Sequence, residues 1–293
     1  MVFSAAIISG FSIWINKYSV SVINPYIFTF LKNIAVVFLL TCLLSALKDW
    51  TKFKKLTGRQ WVSLILIGLV GGSIPFLLFF KGLSLTTAAQ GSFIHKTMFV
   101  YVAILAAIFL KEKVNREFLA GALFLLVGNA LLLNKLSFTF GKGDILILAA
   151  TFFWAIENII SKNALKKLDA RIVGWGRMFF GSLFILFFLG FTGQIHLLGA
   201  LKTQQIVWTL ITSAILFGYV ITWYSGLKHV PATTATAILM LGSPITTLLA
   251  LASGGKINAR EVIAGSLIAI GIIIILNLYK KIILLRRENY VRA

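Results

Sequence analysis

Lys32, His95, Lys96, Glu157 and Arg177 are set inside long apolar runs, where an ionisable side chain is expensive and therefore informative. At the centre of a membrane-spanning helix such a group costs about 2.5 to 3.5 kcal/mol, so it needs a partner, a hydrated cavity or a ligand. The cations Lys32, Lys96 and Arg177 outnumber the one carboxylate, Glu157. That balance suits a ligand with a carboxylate or phosphate, because charge-assisted contacts offset the burial. An amino acid or related zwitterion would use the cations for its carboxylate and Glu157 for its amine. Plainer readings stand beside these. Lys32 and Arg177 are near enough to span ends to snorkel, His95 can be a neutral imidazole bonded to a neighbouring helix, and Glu157 can neutralise Arg177 or Lys32. Lys96 and Glu157 sit too deep to snorkel, and Lys96 is the deepest cation. Trp14, Tyr101, Trp154, Tyr219, Trp223 and Tyr224 are placed to line a cavity, whereas Trp50, Trp61 and Trp208 fit an interfacial belt.

Catalytic patterns are missing from the same inventory. The chain has no His-Glu-x-x-His, no Gly-x-Ser-x-Gly and no phosphate-binding loop, and Asp49, Asp144 and Asp169 fall in loops or at span ends. Cys42 is the only cysteine, so neither an intramolecular disulfide nor a Cys-built metal site can form. No catalytic residue, metal ligand set or cofactor is expected.

The elements that hold these residues follow from the apolar runs. The chain of 293 residues is 59% hydrophobic and 12% charged, with a mean hydropathy of +0.96, whereas an ordinary soluble domain carries roughly 25% charged residues. Lipid must be the solvent for most of its surface. About 20 apolar residues cross a bilayer, and windows of that size give ten spans, near 2–19, 25–47, 61–80, 86–110, 116–134, 144–164, 171–191, 205–227, 231–252 and 259–279. The first is read as a spanning helix rather than a cleaved signal, since no basic segment and no small-residue cleavage pattern surrounds it. All connections are short, and the longest polar stretch runs from Lys48 to Gln60.

The 28 Lys and Arg against 8 Asp and Glu would suggest nucleic acid in a soluble protein. Here the basic residues sit between spans, so no nucleic-acid partner is expected and the charges report topology. Lys52, Lys54 and Lys55, Lys111 and Lys113, Lys166 and Lys167, and the tail from Lys280 to Arg292 all fall on one side, against a sparser set including Lys17, Lys81, Lys135 and Lys256. This predicts a multi-pass protein of the plasma (inner) membrane with both termini cytoplasmic.

A repeat is also legible. Gly82-Leu83 recurs as Gly226-Leu227, Glu117 as Glu261, and Ala120-Gly121 as Ala264-Gly265, each pair 144 positions apart, and Phe11 to Trp14 has a looser echo in Phe152 to Trp154. With five spans per half, the second half must enter the membrane inverted. The expectation is an all-α membrane protein of ten transmembrane helices in two inverted five-helix repeats, 1–138 and 139–280, followed by a basic cytoplasmic tail, 281–293.

Trp14, Lys32, Gly82-Leu83, Leu110-Lys111-Glu112-Lys113 and Gly121 to Gly128 in the first half, with Trp154, Arg177, Gly226-Leu227, Pro244 and Gly265 to Gly271 in the second, make the chain resemble the EamA-like branch of the drug/metabolite transporter superfamily over essentially its whole length. It departs from that pattern at His95 to Val100, where the fourth helix usually carries Pro, and at Gly255-Lys256, where the turn Glu is absent. The resemblance implies a secondary carrier of small metabolites, with export of amino acids or related carboxylates foremost. Uptake or exchange of a more anionic metabolite, and a non-transporting scaffold subunit, are the alternatives. The partners expected are a small-molecule substrate, the lipid bilayer and a coupling proton, in a monomer or homodimer. The substrate-binding set is Trp14, Lys32, His95, Lys96, Tyr101, Trp154, Glu157, Arg177, Tyr219 and Trp223.

Overall fold

A computed structural model describes residues 1–133, 141–252 and 259–277. Lys135, the Gly255-Lys256 turn and the proposed tail 281–293 lie outside the described residues. All regular structure among the described residues is helical. The long helices are α1 (Val2–Val22), α2 (Pro25–Ala46), α3 (Gly58–Ser84), α4 (Ala88–Leu110), α5 (Arg116–Leu131), α6 (Lys142–Ala164), α7 (Ala170–Phe191), α8 (Thr203–His229), α9 (Ala232–Ala252) and α10 (Ala259–Ile275). Seven of them, α2, α3, α4 and α6 to α9, are long and apolar enough to cross a membrane. α5 and α10 have only 16 and 17 described residues, and α1 is diluted by Ser4, Ser9, Ser12, Asn16, Lys17 and Ser19.

Local sequence explains the boundaries. Asn24 accepts from the Tyr26 and Ile27 amides with Pro25 at the first turn of α2, Thr57 and Gln60 form a reciprocal capping box on α3, and Asn115 and Asp169 cap α5 and α7. Each side chain satisfies amides that the first helical turn leaves unpaired. Large apolar side chains lie on both sides of the helices: Phe28, Leu40, Ile67 and Phe99 are buried. Phe38, Phe109, Leu123, Phe187 and Phe191 project outward, while Lys32, Lys96, Glu157 and Arg177 are each at most 3% exposed. In lipid the apolar side chains need no core, and the polar ones must find one another.

Helix pairing follows a pattern of exchange between halves: α1 packs on α8 and α9 as α6 packs on α3 and α4, while α2 pairs with α7 and α5 with α10. Glycines make the close approaches. A side chain at Gly82 would meet the Gly143 carbonyl and Ile147 of α6, and one at Gly226 would meet Val2 of α1. Gly10 lies against Gly242, and Gly121 against Gly271.

Charged side chains close the helix ends. Lys17 Nζ donates to the Leu83 carbonyl at 3.0 Å, and Lys162 Nζ donates at 2.7 Å to both Leu227 and Val230 carbonyls. The Glu112 carboxylate takes the Ala232 and Thr233 amides at 2.7 and 3.0 Å, capping α9 from the end of α4. A cluster of Asp49, Lys52, Asp169 and Arg171 ties the turn after α2 to the start of α7, with ion pairs of 2.8 to 3.1 Å. Partial burial would raise the Asp169 carboxyl, but hydrogen bonds from the Arg171 side chain and backbone and from Lys52 outweigh it and hold the group below its ordinary value.

Candidate functional site

The site begins with a proline. Pro75 has no amide hydrogen to give the carbonyl four residues back, and its ring displaces that carbonyl from the helical ladder. Gly68–Ser73 immediately before it winds as a π-turn. The Gly71 carbonyl is thereby free to accept from Trp154 Nε1 at 3.0 Å and Arg177 Nη2 at 3.1 Å. No side chain stands at Gly71 or Gly72, so α6 and α7 close onto this turn: Glu157 lies over Gly71, and the Arg177 carbonyl and Gly181 lie against Gly72. Asn33 Nδ2 takes the Gly72 carbonyl at 2.8 Å.

Around this junction is a cavity with about 60 Å³ open to the centres of water molecules, enough for a few waters or a small polar group. α1 contributes Ser9, Ser12, Ile13 and Asn16 to its wall, and the other helices contribute side chains from both halves of the chain. Of the residues expected to form the site, Lys32, His95, Trp154, Glu157, Arg177, Tyr219 and Trp223 line it.

Its ionic groups are held apart. Lys32 Nζ donates to Asn16 Oδ1 at 2.8 Å and lies 5.0 and 5.4 Å from the Phe80 and Phe28 ring centres. Arg177 lies 5.1 Å from Phe76 and 5.9 Å from Tyr224. Phe76 and Phe80 are themselves stacked, with planes 1° apart. Cations facing aromatic rings in a dry site gain about 2 kcal/mol each, part of what hydration would have given. Glu157 Oε1 accepts from Tyr224 Oη at 2.6 Å and from Ser161 Oγ. No ion pair within 4.0 Å joins Glu157 to Lys32 or Arg177. His95 stands edge-on to Trp154 and Phe79 at 5.0 and 5.5 Å, with Nδ1 unpaired. Asn158 donates to the Trp154 carbonyl at 2.8 Å, leaving its Oδ1 unpaired in the cavity wall.

Trp14, Lys96 and Tyr101 stand outside the wall, and helical geometry gives the reason. The cavity face of α1 repeats at 9, 12, 13 and 16, the three-and-four spacing of one helix face, and residue 14 turns away to pack with Phe11 and Tyr18. Tyr101 packs edge-on to Phe152 at 6.0 Å. Lys96, next to His95, points about 100° around α4, where Nζ donates to Ser9 Oγ at 2.6 Å beside Gly242. It is therefore one layer behind the wall and reaches the cavity only through Ser9. Lys96→Met is expected to fold and to raise the melting temperature, because it removes a buried charge with no counter-ion; a fall of several degrees in a thermal denaturation scan would contradict this.

The polar residues of the wall overlooked in the sequence are small and neutral, Ser9, Ser12, Asn16 and Asn158, with Ser161 behind them, and Tyr224, read as a wall residue, stands behind it as a donor to Glu157. Their signal was present, since Ser9, Ser12 and Asn16 fall on one face of an otherwise apolar helix. Among the described residues no group of three His, Cys, Asp or Glu side chains could hold a metal ion.

Known proteins resemble this chain in sequence and in fold. A protein of Archaeoglobus fulgidus described as an uncharacterized transporter is 26% identical over 217 residues, covering 71% of this chain and 73% of its own. The uncharacterized transporter YyaM of Bacillus subtilis is 24% identical over 225 residues, covering 73% of each chain. A protein crystal structure superimposes with a TM-score of 0.71 at 18% identity, over 95% of this chain and 99% of that one, which is a likeness of fold. The EamA-like transporter family model matches residues 1–134 and again residues 141–277. With a helical bundle that buries Lys32, Lys96, Glu157 and Arg177 and turns many large apolar side chains outward, these matches identify a multi-pass membrane protein that belongs to the EamA-like transporter family of drug/metabolite transporters.

Proposed function

We propose that the protein is an alternating-access secondary transporter for a small polar metabolite bearing a carboxylate, such as an amino acid or a related acid, and that it exports it. The observation that carries this reading is the cavity in which Lys32, His95, Glu157 and Arg177 meet without neutralising one another as direct ion pairs. A scaffold subunit would have no use for such a cavity, and packing these groups against lipid would cost on the order of 10 kcal/mol. The residues that form the site around the substrate are Lys32, His95, Trp154, Glu157, Arg177, Tyr219 and Trp223, whether by direct contact or by positioning those that make it, and Glu157 is the group that carries a coupling proton.

The architecture proposed is ten crossings in two inverted halves, 1–138 and 139–280. The exchange of partners between halves supports it, since α1 packs on α8 as α6 packs on α3, the pattern that two inverted copies of one unit would make. Two such halves offer two similar conformations open to opposite sides of one site. Uptake into proteoliposomes of labelled amino acids, hydroxy acids and dicarboxylates, with and without a pH gradient, tests the function. No accumulation of any solute by a well-folded protein would remove it.

The orientation proposed is cytoplasmic for both termini and for the turn holding Lys52, Lys54 and Lys55, in the plasma (inner) membrane. A single cysteine at Lys54 in a Cys42→Ser background is expected to resist an impermeant thiol reagent in intact cells and react once the cells are opened. Labelling from outside would reverse the topology.

A further inference from the structure

The cavity wall holds a finer correspondence than the repeat described above. At four positions from Ser12 to Lys32 the offset is 145, distinct from the looser Phe11–Trp14 echo, so that Ser12 matches Glu157, Asn16 matches Ser161, Lys17 matches Lys162 and Lys32 matches Arg177. The register has a geometric counterpart at one pair: Lys17 donates to the carbonyl of Leu83 and Lys162 to that of Leu227, and those two leucines are 144 apart. By the same later offset Phe80 matches Tyr224.

Compared position by position, the two sides of the cavity have the same frame and different electrostatics. On one side Arg177 faces the Tyr224 ring, Tyr224 and Ser161 both donate to Glu157, and Glu157 and the Arg177 side chain meet at Gly71. This side carries its own counter-charge. On the other side Lys32 faces the Phe80 ring and donates to Asn16, while Asn16 Nδ2 donates to Ser12 Oγ at 3.0 Å. Serine stands where the carboxylate would be and phenylalanine where its hydroxyl donor would be. No Asp or Glu lies within ion-pair distance of Lys32 among the described residues. A buried ammonium with neutral partners alone lacks most of what water gave it, so this side is the one that gains most from an arriving anion.

We propose that Lys32, oriented by Asn16 and flanked by Ser12, is the anion subsite of the cavity and takes the substrate's carboxylate, and that Arg177 is a positioning residue committed to Glu157 and the Gly71 carbonyl. The assignment rests on the reading of the cavity as the substrate site. It makes the missing carboxylate at position 12 the feature that sets charge preference.

The test transplants that carboxylate. In purified protein, lactate, succinate and inorganic phosphate are titrated at constant ionic strength while tryptophan fluorescence and melting temperature are followed. Wild-type protein should respond saturably to lactate. Ser12→Glu, which supplies Lys32 with the counter-charge that Arg177 already has, should raise the melting temperature of the ligand-free protein and weaken the lactate response by about tenfold or more, the loss of a hydrogen bond to a charged group. Lys32→Gln should weaken it similarly, whereas the exposed Lys113→Gln should not. An unchanged lactate response in well-folded Ser12→Glu, or no saturable response of wild-type protein to any of the three anions, overturns the subsite. Proteoliposomes separate the two readings: saturable, Ser12-sensitive lactate binding without transport sinks the transport function and leaves the subsite, while transport indifferent to Ser12→Glu does the reverse.

Discussion

Gly72→Ala is expected to lower the melting temperature and the yield of folded protein sharply. A Cβ at this position would meet the Arg177 carbonyl oxygen and the Gly181 backbone, and backbone on a packed helix cannot rotate aside as a flexible side chain can. The reciprocal contact at Gly181 falls on Gly72 itself, so the two helices have no slack on either side. Overpacking of this kind costs about 3 kcal/mol, the upper part of its usual range, and here it would also shift Arg177 and the Gly72 carbonyl that Asn33 holds. Gly265→Ala is the control, since nothing lies within 4 Å of its added methyl and alanine favours a helix over glycine by about 0.5 to 1 kcal/mol. Melting temperature and gel-filtration yield of the two variants decide the matter. Equal behaviour of Gly72→Ala and Gly265→Ala would mean that α3 and α7 do not close on one another as described.

The second large effect is at Glu157. Glu157→Leu removes the acceptor shared by Tyr224 and Ser161 and leaves Arg177 without its only nearby carboxylate among the described residues. Removing one member of a buried charge arrangement costs about 3 to 5 kcal/mol, because the remaining charge stays desolvated. Glu157→Gln keeps an oxygen for both hydroxyls, so it is expected to fold with a much smaller loss. Its transport should then lose the response to a pH gradient, since the amide cannot take and release a proton at that position. The measurement is initial uptake by proteoliposomes over a range of internal and external pH. A Glu157→Gln protein whose uptake follows the gradient as the wild type does would take the coupling proton away from this residue.

Much of the helical frame was legible in the chain. Apolar runs of bilayer length can do little except span, and caps such as Asn24-Pro25, Thr57 with Gln60, and Asn115 mark where they begin. The windows near 25–47, 171–191 and 231–252 coincide within a residue with α2, α7 and α9. α2, α4 and α9 come out a residue or two shorter than their windows, and α5 and α10 shorter by more, their described helices ending at Leu131 and Ile275.

The ionisable part of the site was legible for the same reason, because a charge in an apolar run is conspicuous at any register. Lys32, His95, Glu157 and Arg177 all line the cavity. Direction was harder to read. One residue along a helix turns a side chain by about 100°, and that rotation alone separates His95 in the wall from Lys96 behind it, and Ile13 from Trp14. Which face looks inward depends on the neighbouring helices.

Tertiary structure alone decided how the charges are satisfied. The sequence offered Glu157 as a salt-bridge partner, but the fold gives it two hydroxyls, gives Arg177 a carbonyl released by Pro75, and gives Lys32 an amide sixteen residues earlier. Apart from the Ser161–Glu157 bond, which lies within α6, each of these bonds joins different helices, so neither apolar periodicity nor the composition of a single run encodes it. The sequence by itself determined that the charges had to be gathered inside the bundle, because lipid cannot solvate them. Only packing could determine which of them would face the cavity without a counter-ion, because that depends on how closely Gly71 and Gly72 allow α6 and α7 to approach α3.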